Sequence, residues 1–107
     1  MEHPHPNLRH VTPLLSRWRG ADAKLWEYTV SHKSLTIRLT SSSRAGSLHL
    51  RCGDVESISA LTAWSDAQIE VQLRDEGGYL ISDVNAGLQI VAFVIDVAEI
   101  GNDVKRE

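Results

Sequence analysis

The run Leu88–Ile100, Leu-Gln-Ile-Val-Ala-Phe-Val-Ile-Asp-Val-Ala-Glu-Ile, constrains this chain more than any other stretch, because it is apolar on both sides of an extended backbone. Side chains alternate with period two in a strand. Leu88, Ile90, Ala92 and Val94 therefore share one face, and Val91, Phe93, Ile95 and Val97 share the other. A helix is also conceivable, since Leu88, Val91, Ala92 and Ile95 are spaced by three and four. The β-branched residues Ile90, Val91, Val94, Ile95 and Val97 are stiff at χ1 and favour the strand. A strand of this kind needs cover on both faces. Asp96 interrupts it, and a carboxylate there marks where the strand leaves the core.

The remaining segments are apolar on one face only. Thr12-Pro13 is a helix-start signal, followed by Leu14, Leu15 and Trp18 and ended by Gly20, which predicts one short N-terminal helix. Trp26, Tyr28 and Val30 alternate with polar residues. Across Ser31-His32-Lys33-Ser34 the alternation resumes with Leu35, Ile37 and Leu39, as in a β-hairpin with one wet face. Thr40 to Gly46 reads as a loop, Ser47 to Cys52 as a strand, Gly53-Asp54 as a turn, and Val55 to Leu61 as a weak strand. Gln68 to Arg74 and Tyr79 to Asp83 are strands joined by Asp75-Glu76-Gly77-Gly78, and Ser82 to Gly87 turns the chain into the last strand. Six to seven strands without crossover helices predict a mainly β fold, a small antiparallel meander barrel or sandwich. Residues 1–10 read as a disordered tail, 11–101 as a single β-rich domain, and 102–107 as a frayed C-terminal tail.

A chain of 107 residues is one domain with enough interior for a core of its own. A single cysteine excludes an internal disulfide and suits a reducing compartment. With no secretory signal and no membrane-spanning run, the expected location is the cytoplasm. The net charge of −3 hides an asymmetry: residues 1–51 hold eight Lys/Arg and three Asp/Glu, about +5, whereas 52–107 hold three and eleven, about −8. Such a chain can present an acidic side to a basic partner or associate head to tail.

The residues able to do chemistry do not assemble into a motif. His49 and Cys52 are three apart in a strand and face opposite ways, so they cannot share an ion, and Cys52 reads as a core thiol. His32 sits at a hairpin tip. The pairs Asp54/Glu56 and Asp75/Glu76 lie in or beside turns, and Gly77-Gly78 is not followed by a helix that could cradle phosphate. Arg17-Trp18-Arg19, with Arg9, Lys24, Arg38, Arg44 and Arg51, could form a basic patch for single strands, but Trp18 lies on the apolar face and the chain is acidic, so nucleic acid is not the expected partner. Met1-Glu2-His3 places an imidazole where it could join the Met1 amine and two backbone nitrogens around Cu(II) or Ni(II).

No cofactor is expected, and the function read from the residues is a non-catalytic protein-interaction or self-associating module, whose partner is another protein or a second copy of the chain in a homodimer. A small-molecule-binding barrel or small enzyme, with a pocket near Trp26, Tyr28 and Trp64, is the rival reading, and an acidic inhibitor of a basic partner is a third. If the helix does not cover the second face of the last strand, Val91, Phe93, Ile95 and Val97 form the expected interface.

Overall fold

The computed structural model describes residues 6–101, with side chains from Leu8 onward. Helix α1 (Pro6–Arg17) is followed by β1 (Asp22–Thr29), β2 (Ser34–Ser41), β3 (Arg44–Ser59), β4 (Ala63–Trp64), β5 (Glu70–Leu73), β6 (Tyr79–Asp83), a 3-10 turn (Val84–Ala86) and β7 (Leu88–Ile100). The seven strands form one antiparallel sheet in the order β4-β1-β2-β3-β7-β6-β5, curled into a half-barrel. This is the mainly β, antiparallel fold with one helix that the hydrophobic periodicity implies, but the strands do not simply meander, because β3 pairs with β7 and β4 returns to the far edge beside β1.

The sheet is built on the long ribbon of β3 and β7, which pair from Ser47↔Ile100 to Ser59↔Gln89. β2 lies beside the first part of β3, ending at Leu35↔Cys52, and β6 lies beside the first part of β7, ending at Tyr79↔Ala92. The two halves of the sheet thus attach to different ends of one ribbon. Between them the inward phase slips in both strands at once. Leu48, Leu50, Cys52 and then Val55 are buried in β3, while Leu88, Ile90, Ala92 and then Ile95 and Val97 are buried in β7. Cys52↔Ile95 and Val55↔Ala92 are cross-strand pairs, so the step of three residues is shared. Asp54 takes it up with a positive φ of 50°, and Gly53 leaves room for Val94, whose Cβ would lie 3.2 Å from an added Cβ.

The slip corrects the expected interface. Val91, Phe93, Ile95 and Val97 do not share a face: Ile95 and Val97 are in the core, whereas Val91 is half-buried on the convex side and Phe93 is exposed there. Strict alternation fails because both strands are bent at that point. Asp96 faces outward for the same reason, four residues before β7 ends, so it does not mark an exit from the core. Gly53-Asp54 is a kink within β3 and not a turn, and the expected Thr40–Gly46 loop is a tight connection, with Ser41 paired to Arg44 and the Ser43 amide donating to Ser41 Oγ.

Helix α1 begins at Pro6, earlier than Thr12-Pro13, and so the segment 6–10 is helical and not part of a tail. Residues 1–5 and 102–107 lie outside the described residues. Pro13 falls inside the helix, where it cannot donate to the carbonyl four residues back. The helix persists because Leu8, Val11, Leu15 and Trp18 form a stripe that packs into the core, and burying each large side chain contributes roughly 1.5–3 kcal/mol. α1 packs on β5 and β7.

Two glycines test this geometry. Gly46 and Gly87 both have a positive φ, 77° and 72°, but a Cβ at Gly46 would overlap the Ile100 carbonyl oxygen, while Gly87 has open space. Urea unfolding should show Gly87→Ala costing about 1–2 kcal/mol, the left-handed penalty alone, and Gly46→Ala costing clearly more. Equal losses would show that β3 and β7 do not approach as described at their ends.

Candidate functional site

β1 was expected to turn Trp26, Tyr28 and Val30 inward together. Instead its register shifts between Leu25 and Glu27, leaving Trp26 as the bulged residue. Ala23 and Leu25 face the core, and Trp26 lies on the convex side under the Arg38 guanidinium, 4.5 Å from the ring centroid. Tyr28 is opposite Leu35 at the rim and about half exposed. Trp64 is elsewhere, bonded to Asp83. The three rings therefore lie apart: Trp64 lines a depression with Asp22, Lys24 and Thr40, and Trp26 and Tyr28 do not join that lining.

Around Trp26 the convex face carries a cross-strand row of Lys24, Arg38 and His49, followed by Glu27, Thr36, Arg51 and Asp96. The first row is basic and the second carries both signs, Glu27 and Asp96 flanking Arg51, which makes this a mixed, solvated face. His49 has its pKa lowered by burial and then by Arg38 and Arg51, so its imidazole is neutral at neutral pH. Cys52 is on the other face of β3, and burial pushes its thiol up to about 12. That keeps it protonated and unreactive. His32 is exposed in the β1–β2 turn.

The Arg17-Trp18-Arg19 sequence does not provide a stacking platform. Trp18 is buried, its Nε1 donates to Glu99 Oε2 at 2.9 Å, and Arg17 pairs with the same carboxylate at 3.2 Å. Arg44 closes over the indole and donates to the Arg17 carbonyl. Met1 and His3, the suggested metal-binding pair, lie outside the described residues. Among the described residues no group of three or more His, Cys, Asp or Glu side chains is gathered as a metal ion would require.

Two features stand out. The first is an apolar patch on the convex face, which keeps Val91 and Phe93 of the expected interface but joins them to Leu80 and Val94: Leu80 is opposite Val91, with Phe93 and Val94 beside them, the last two 40% and 55% exposed. Gly78 makes it possible, since a Cβ there would come within 2.9 Å of the Phe93 ring. The second is Asp83, an acidic residue in a sequence position that reads as an ordinary turn. It is buried, and its Oδ2 accepts both the Trp64 indole N–H at 2.9 Å and the Gln68 amide at 2.8 Å. A carboxylate on β6 thereby holds β4 and the approach to β5. Nearby, the Gly20 amide donates to the Ala67 carbonyl and the Ala67 amide to Ala21, both at 2.8 Å. Asp83 Oδ1 is also buried and has no partner among the described residues.

No family model, curated protein or solved structure matches the chain. No helix among the described residues is long and apolar enough to cross a membrane.

The Asp83 contacts make a direct prediction. Asp83→Ala leaves two part-buried donors without their acceptor and should lower stability by about 1–3 kcal/mol in urea unfolding, with altered Trp fluorescence. Asp83→Asn keeps an acceptor oxygen and should cost clearly less. If the two variants are equally stable, the carboxylate does not hold this corner of the sheet.

Proposed function

We propose that this protein is a non-catalytic module, working in the cytoplasm, that binds another protein or a second copy of itself. The observation that carries the reading is the open sheet. Beyond Leu25 the outer side of β1 bears no strand among the described residues, and β5 is an edge along its whole length. Unpaired edges are templates for a further chain. The exposed Phe93 and Val94 add an apolar anchor of the kind that dominates interface energies. The buried, protonated Cys52 supports a reducing compartment. A second reading, an acidic protein that captures a basic partner, is favoured by one observation: Asp66, Glu70 and Asp83 line a single depression.

Light scattering from micromolar to millimolar concentration should reveal a dimer, or cross-linking with mass spectrometry a stoichiometric protein complex. Replacing Phe93 and Val94 by Ser should weaken that association roughly tenfold or more while the protein stays folded. A strict monomer with no cross-linked partner would contradict the reading.

A further inference from the structure

We infer that the outer edge of β5 is a docking site for an extended, basic peptide segment of a partner protein, which adds to the sheet as an eighth strand. The inference rests on the interaction-module reading and names where and what the module binds. Its first support is an unfilled groove of about 230 Å3 between α1 and β5, floored by Leu15, Ile69 and Val71. β5 pairs with β6 on one side only, so alternate residues of Glu70–Leu73 direct backbone N–H and C=O groups away from β6. An extended peptide supplies matching groups, and the groove takes one of its small apolar side chains.

The second support is charge. The groove continues past Arg19 and Glu70, which line both spaces, into a depression of about 310 Å3 whose walls include Asp66, Gln68 and Asp83. Three carboxylates stand there against the single cation Arg19. Asp66 already accepts a bond from Gln68 Nε2 at 3.1 Å, and Asp83 Oδ2 is taken by Trp64 and Gln68. Asp83 Oδ1 is buried without a partner among the described residues, a costly state for a carboxylate oxygen. A peptide running along β5 would thus place an apolar residue against Leu15 and Val71 and a basic residue beside Asp66, Glu70 and Asp83. The acidic bias of residues 52–107 attracts such a segment over a longer range.

The test uses synthetic octapeptides that alternate Val or Ser with Lys or Arg, against matched peptides carrying Glu, and reads binding by fluorescence anisotropy and amide chemical shifts. The basic peptides should bind, with shifts centred on Glu70–Leu73. Methylating alternate peptide nitrogens should abolish binding. The isosteric pair Asp66→Asn with Glu70→Gln, which retains the left-handed tolerance of residue 66, should weaken it roughly tenfold or more at low salt. Absence of binding, equal binding of the Glu peptides, or shifts confined to Phe93 and Val94 would each overturn the site. In the last case the interaction-module reading would stand. Failure of that broader reading would instead appear as a strict monomer without any protein partner.

Discussion

The structure depends on the pairing of β3 with β7 and on the phase slip that both strands make together. A ribbon this long, if it alternated strictly, would turn Ile95 and Val97 away from the side that buries Leu88, Ile90 and Ala92. Two apolar faces would then need two covers. The step at Gly53-Asp54, opposite Phe93-Val94, returns both ends of β7 to one concave side. β1 and β2 extend the sheet from one end of the ribbon, β6 and β5 from the other, and α1 supplies the remaining cover through Val11, Leu15 and Trp18. A single core results from a sequence that looks as though it needs two.

The slip also has a consequence for the surface. Turning Ile95 and Val97 inward puts Phe93 and Val94 outside in succession, so the apolar surplus of β7 is two exposed side chains and not a whole face. Two polar contacts tie the periphery to this frame. Glu99 on β7 holds Trp18 and Arg17 at the end of the helix, and Asp83 on β6 holds Trp64 and the Gln68 amide where the chain crosses between β4 and β5. Both carboxylates accept an indole N–H, which lets Trp18 be buried and Trp64 partly buried with the one donor of each ring satisfied.

Much of this was legible in the residues, and what was not had physical causes. β2 was readable because Leu35, Ile37 and Leu39 alternate without interruption and are buried as the period requires. β1 and β7 misled because a bulge at Trp26 and the slip at Phe93-Val94 change phase inside runs that look regular, and composition does not mark such bends. Gly53-Asp54 was the available signal: a residue pair suited to unusual φ beside an apolar strand reads equally as a turn or a kink. The start of the helix was missed because Pro13 resembles a first helical residue, although Leu8 and Val11 continue the Leu15–Trp18 stripe. Asp83 could not be singled out, since its role arises from the closeness in space of Trp64 and Gln68.

The proposed binding role rests on the free sheet edges, the acid-lined end of β5 and the exposed Phe93-Val94 anchor, and the last of these follows from where the ribbon bends. The bend is therefore the claim to test, by unfolding the paired variants Val94→Ala and Ile95→Ala in urea. Ile95→Ala, which empties a core position, should cost about 2–5 kcal/mol, and Val94→Ala, on the convex surface, less than about 1 kcal/mol. A larger loss at Val94 than at Ile95, or equal losses, would mean that β7 keeps strict alternation and that the fold is not organised around the slip.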